Sequence, residues 1–128
     1  MWPFRRKAEA SLRGAPGVQR VKTYSAETGY VWQYVYDCYR DVLGGRVYVF
    51  SASADRKTFA PVSIAVHHKD YSAWERAQGR TLGSNEVFAI AKLGLFRFLD
   101  ETPPAGVVGR EFRVGEELAR EILDTLDL

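Results

Sequence analysis

The sequence predicts an α+β fold: an antiparallel four-stranded meander followed by helices packed on one of its faces. Three observations carry this. Up to about residue 68, apolar and polar residues alternate with period two, and β-branched and aromatic residues are frequent. Beyond that point the apolar spacing becomes helical. Strands therefore come first and helices after, which implies an antiparallel sheet with helices on one side, not alternating βα units.

The first strand is expected over Val18–Ser25, closed by a turn at Ala26-Glu27-Thr28-Gly29. Tyr30–Val42 is the second strand. Period two puts Tyr30, Trp32, Tyr34, Tyr36, Cys38 and Arg40 on one face, and Val31, Gln33, Val35, Asp37, Tyr39 and Asp41 on the other. A straight strand of that length would span roughly 40 Å, so a bend or bulge is expected within it. Gly44-Gly45 is a hairpin signal leading to a third strand, Arg46–Ala54. After a turn at Asp55–Thr58, Phe59–His68 forms the fourth, with Pro61 near its start where a lost N–H is tolerated.

Ser72-Ala73-Trp74-Glu75 matches a capping box and opens a short helix that stops at Gly79. A second helix starts near Ser84 as N-cap and ends before Pro103-Pro104. Val87, Phe88, Ile90, Leu93, Leu95, Phe96, Phe98 and Leu99 make it apolar nearly all round, which calls for burial on several sides or a partner. After a loop at 104–109, Arg110–Val114 is a short extended segment. The C-terminal helix, Glu116–Asp127, carries Leu118, Ile122, Leu123 and Leu126 on one stripe.

A chain of 128 residues fits one domain. The expected division is a flexible basic arm at 1–17 and a single α+β domain at 18–128. The opening MWPFRRK has its charges before no apolar run, so it does not match a secretory signal; Trp2 and Phe4 beside Arg5, Arg6 and Lys7 suit at most a weak membrane-surface contact. No segment reaches the roughly 18–20 apolar residues of a membrane span. Cys38 is the single cysteine, which excludes an internal disulfide or a cysteine metal cluster and suits a reducing, cytoplasmic setting. Residues 1–60 hold ten Lys/Arg and five Asp/Glu, residues 61–128 eight and eleven, so the chain is a dipole and not a uniformly basic coat.

No phosphate-binding glycine loop, dinucleotide fingerprint, zinc-protease motif, nucleophile elbow or Cys-x-x-Cys is present. No catalytic residue, cofactor or metal is assigned. His67-His68 are neighbours on a strand and point to opposite faces, a poor ligand pair. Asp37 and Asp41 would sit about 13 Å apart, too far for paired acid–base work. Asp100 and Glu101 place negative charge at a helix C-terminus, where the dipole disfavours it. The Tyr30–Tyr36 face, with Tyr48 and Phe50, is expected to be core and not a base-stacking platform, since no RNA-binding sheet signature accompanies it.

Two candidate sites remain. In a meander, one end of the sheet gathers Arg20, Arg40, Arg46, His67, His68 and Lys69, a cluster suited to an anion such as a phosphate, an acidic peptide or a nucleic-acid backbone. Between sheet and helices, Tyr34, Tyr36 and Cys38 opposite Lys92 or Arg97 are suited to line a pocket. The absence of reaction motifs and the surplus of apolar helix surface point to a non-catalytic binding or assembly domain that associates with itself as a homodimer, or with another protein. The alternative is a ligand-binding or enzymatic domain with its pocket between sheet and helices, or a weak nucleic-acid binder.

Overall fold

A computed structural model describes residues 12–15, 19–107 and 109–128. Most of the basic arm, including Trp2, Phe4 and their basic neighbours, lies outside these residues. The strands are β1 (Leu12–Arg13), β2 (Lys22–Ser25), β3 (Val31–Val42), β4 (Gly45–Ser53), β5 (Ala60–His67) and β6 (Arg110–Val114). The helices are α1 (Ser72–Gln78), α2 (Ser84–Glu101) and α3 (Glu116–Leu126), with 3-10 turns at His68–Asp70 and Pro104–Gly106.

The class is α+β, and β2 to β5 form the antiparallel meander. The sheet is larger than four strands. Its order is β1/β2-β3-β4-β5-β6, in which β1 and β2 share the edge position beside β3. The extended segment Arg110–Val114 joins β5 in parallel, Ile64 opposite Phe112 and Val66 opposite Val114. A parallel neighbour needs a long crossover. Here α1 and α2 supply it, so a segment that reads locally as an isolated extended piece becomes an integral strand.

The edge strand is shorter than Val18–Ser25, because Gln19 to Val21 run outside the ladder. The hairpin turn falls on Leu43-Gly44, one residue early, with Gly44 at φ 80°. Leu43 stands almost fully in solvent at 99% exposure.

Within β3 the register shifts between Tyr36, opposite Phe50, and Cys38, opposite Val49. Asp37 is the extra residue of a β-bulge. Its carboxylate accepts from Ser51 Oγ at 2.6 Å and Gln19 Nε2 at 2.8 Å, which holds the bulge in place. The consequence is a correction to strict alternation. Trp32, Tyr34 and Tyr36 share the helix-covered face with Tyr39 and Asp41, which pair with Tyr48 and Arg46. Cys38 and Arg40 pass to the opposite face. One inserted residue reverses every later side chain.

The main core lies on the helix-covered side of the sheet, while Val35, Val47 and Ala65 are buried on the opposite face. Trp32, Tyr34, Tyr48, Phe50, Val62, Ile64, Val66 and Val114 of the sheet cluster with Ile90, Leu95, Leu99, Ile122 and Leu123 of the helices. Gly94 permits the close approach of α2: a Cβ there would lie 2.5 Å from Val114 Cγ2 and 3.4 Å from Ile64 Cγ2. Val87, Phe88, Leu93 and Phe96 of α2 are partly buried against the same core. The apolar girth of this helix is thus largely covered within one chain.

Two cap assignments change. The Ser72–Glu75 box does not form, because the Glu75 carboxylate accepts from Leu82 N at 2.7 Å and meets His68 Nε2 at 2.8 Å. The α2 cap is Gly83, whose N–H donates to Glu86 Oε1 at 2.9 Å. Tertiary partners outbid the local box in the first case.

Candidate binding cleft

The edge strand, β3 and α2 enclose a cleft of about 200 Å³ lined by Arg20, Lys22, Tyr34, Tyr36, Phe50, Phe88 and Lys92. Sheet pairing sets its floor: Tyr34 lies opposite Ala52 and Tyr36 opposite Phe50, so both rings face α2. Lys22 lies opposite Tyr34 across the edge ladder. Phe88 and Lys92 are four residues apart on α2 and share a helix face. Phe88 meets Tyr36 edge to face at 4.8 Å between ring centroids.

The electrostatics are one-signed. No described carboxylate forms an ion pair with Arg20, Lys22 or Lys92. Desolvation pushes the Lys92 ammonium below the ordinary lysine range, and the nearby positive charge of Lys22 pushes it further the same way. Burial raises the Tyr34 hydroxyl, and burial first, then neighbouring phenols and the Cys38 thiol, raise Tyr36 to about 12. Both phenols are therefore neutral donors at physiological pH.

Of the five pocket residues read from the sequence, Tyr34, Tyr36 and Lys92 meet at this cleft. Cys38 lies beyond the bulge on the other sheet face, where burial, then the Asp37 charge, raises its thiol. Arg97 lies near the far end of α2 beside Glu121 at 3.4 Å.

The six anion candidates separate. Arg20 joins the cleft. Arg40 sits on the open sheet face and reaches across β4 and β5 to Glu111 at 3.3 Å. Arg46 is on the helix face, bonded to Asp41 at 3.0 Å and lying over the Tyr39 ring at 4.1 Å. His67 ends β5 opposite Gly45, and His68 meets Glu75. Lys69 is exposed in the turn that follows. The bulge and the end of β5 divide them between faces, and Arg40, Arg46 and His68 each have an acidic partner.

Lys22, Phe50 and Phe88 are cleft residues that the sequence reading did not assign to the pocket. A signal for Lys22 exists: Arg20, Lys22 and Tyr24 alternate, so an inward Tyr24 brings Lys22 to the same face.

A second depression of about 400 Å³ adjoins the first and is lined by Tyr36, Tyr39, Arg46, Tyr48, Ser84, Asn85 and Phe88. The Tyr48 hydroxyl is buried there without a hydrogen-bond partner among the described residues. Among the described residues, no three His, Cys, Asp or Glu side chains are grouped to hold a metal, and no helix is long and apolar enough to cross a membrane.

The architecture defines a class, an α+β domain with its helices on one sheet face and a cationic, aromatic-floored cleft between them. Comparison of the chain with protein-family models, curated proteins and solved structures found no match.

Proposed function

We propose that this is a non-catalytic binding domain whose ligand is a small organic anion with an aromatic body, held in the cleft between β3 and α2. One observation carries the reading: Lys92, partly buried beside Lys22 and without a described carboxylate partner, faces a floor of aromatic rings. A partly desolvated pair of like charges is unfavourable until a counter-charge enters. Tyr34, Tyr36, Phe50 and Phe88 supply apolar surface for a ring, and Arg20 and Lys22 stand at its border. The raised phenols bind without exchanging protons near neutral pH, which favours binding over acid–base chemistry. A reducing, cytoplasmic setting suits the lone Cys38.

The test is a nuclear magnetic resonance titration with benzoate and with its neutral isostere benzamide. Benzoate is expected to shift signals of Tyr34, Tyr36, Phe88 and Lys92 and to bind about tenfold more tightly than benzamide, the order expected for one charge-assisted contact. Equal affinities, or shifts confined to other residues, would refute the anion reading.

Association with a second copy or another protein is the other reading, and a different surface favours it. The sheet face that no helix covers carries Val31 at 46% exposure, with Cys38 and Val49 half-buried along it. Sedimentation at high protein concentration separates the two: a dimer lost on Val31→Lys supports this face, and a monomer throughout removes it. Nucleic-acid binding has less support, since three of the six candidate cations already have acidic partners.

A further inference from the structure

The 200 Å³ cleft and the 400 Å³ depression beside it share two lining residues, Tyr36 and Phe88. These two residues also touch each other. Their rings meet edge to face at 4.8 Å with planes inclined by 68°, one ring rising from β3 and the other descending from α2. The pair stands between the two spaces. Phe88 is braced from behind by Tyr48 at 5.9 Å and Phe50 at 6.2 Å. Tyr36 is in turn held against Phe50 at 5.5 Å.

We propose that Phe88, held against Tyr36, is the size filter of the cleft, and that the ligand it admits is a single-ring aryl carboxylate. This rests on the anion reading of the cleft. The size follows from volume. A cavity of about 150 Å³ takes up benzene, so the cleft holds one ring and a carboxylate. A second ring attached opposite the carboxylate finds further apolar wall only in the neighbouring depression, and the Tyr36–Phe88 contact stands across that route, leaving such a ring to project into solvent. The orientation follows from charge. The carboxylate belongs at Lys92 and Lys22, which like Arg20 have no described acidic partner and which lie against the aromatic floor, and this sends the ring toward Phe88 on the same helix face as Lys92. At the far side of the filter, Arg46 is already bonded to Asp41 at 3.0 Å, so that space offers no comparable attraction for a second anionic group.

Truncating Phe88 removes the helix half of the barrier and joins the two spaces. The brace of three aromatic rings around it also argues against a ligand simply pushing Phe88 aside: rotating Phe88 disturbs its contacts with Tyr36, Tyr48 and Phe50.

The experiment measures the affinities of benzoate and biphenyl-4-carboxylate for the wild type, Phe88→Leu and Phe88→Ala, each checked for a native-like amide spectrum. In the wild type, benzoate is expected to bind at least about tenfold more tightly than biphenyl-4-carboxylate, the scale on which a filled pocket discriminates size. In Phe88→Ala the order reverses, while benzoate weakens only severalfold through loss of a ring contact. Phe88→Leu, which keeps more of the core volume, shifts the ratio in the same direction. Equal wild-type affinities for the two acids would overturn the filter even if neither variant folds. A folded variant with an unchanged ratio would overturn it as well. Failure of both acids to bind any of the three proteins would instead overturn the anion reading of the cleft, and the filter with it.

Discussion

The Tyr24 hydroxyl donates to the Asp100 carboxylate, 2.7 Å from Oδ1 and 2.8 Å from Oδ2, joining the edge strand β2 to the C-terminal turn of α2. Glu27 N adds a donor to the same Oδ1 at 3.0 Å, and the Tyr24 ring stacks on Phe96 with centroids 4.0 Å apart. An acid at a helix C-terminus is unfavourable to the dipole. Here its role is tertiary: Asp100 accepts from two donors, the Tyr24 hydroxyl shared between its oxygens and the Glu27 N–H, which fasten the strand bearing Lys22 over the helix bearing Lys92.

Replacing Tyr24 by Phe keeps the stacked ring and removes the hydroxyl. The expected loss of stability is about 1.5–3 kcal/mol, the range for a hydrogen bond to a charged group, read from urea unfolding at neutral pH. Burial, followed by the bond to Asp100, raises the Tyr24 pKa to about 12. A raised folded-state value means stability that is complete below pH 10 and is lost as pH rises from 10 through about 12. The gap between wild type and Tyr24→Phe is therefore expected to narrow across that window. A gap that stays constant would show that the hydroxyl is not the group responsible.

Lys92→Met separates binding from folding. The native state holds the Lys92 ammonium against desolvation and the Lys22 charge, so its lowered pKa makes the charged form a cost to the fold. The variant is expected to be as stable as wild type or up to about 1 kcal/mol more stable, while benzoate affinity falls about tenfold. Benzoate beside Lys92 favours the ammonium and raises its pKa. Complex formation on the alkaline side then takes up protons, and affinity declines at a lower pH than an ordinary lysine would give. Calorimetry in two buffers of different ionisation heat reads this uptake. Uptake that persists in Lys92→Met would assign it to another group.

Deleting Asp37 is expected to leave a folded chain. The bulge residue is surplus to the ladder, since Tyr36 opposes Phe50 and Cys38 opposes Val49 without it. The deletion makes β3 regular and leaves Tyr39 facing Tyr48. The cost comes from the lost bonds to Ser51 and Gln19 and from a changed strand bend, about 1–3 kcal/mol together. Cross-strand nuclear Overhauser contacts between Cys38 and Val49 test the register. Their replacement by Tyr39–Val49 contacts would mean that Asp37 takes part in setting the pairing and is not merely inserted into it.

The pairing partners of Tyr34 and Lys92 show how far the chain's own pattern reaches. Tyr34 and Tyr36 alternate with Val35, and Lys92 interrupts an apolar helix, so their convergence between sheet and helix was legible. Lys22 was harder to read, because its strand is only four residues long and period two is weak over so few positions. Strict alternation puts Cys38 and Arg40 on the wrong face, because it assumes an unbroken ladder and the bulge at Asp37 depends on Ser51 and Gln19, fourteen and eighteen residues away.

The types and order of β2 to β5, of the three helices and of the extended segment at 110–114, with most of the turns between them, are legible in the chain alone, whereas the pairing of Leu12–Arg13 beside β3 is not. The legible features follow from local properties: side-chain shape, φ preference and the 2.0 and 3.6 residue periods. Tertiary structure alone decided that Arg110–Val114 joins the sheet beside β5, that Glu75 leaves its local cap for Leu82 and His68, and that Arg40 pairs with Glu111 across two strands. The first and the last join residues whose neighbourhood exists only after α1 and α2 have carried the chain back across the sheet and the strands have paired. Glu75 meets partners seven residues to either side, which the turns flanking α1 bring together, so in all three cases contacts between segments select the outcome and not preferences within one.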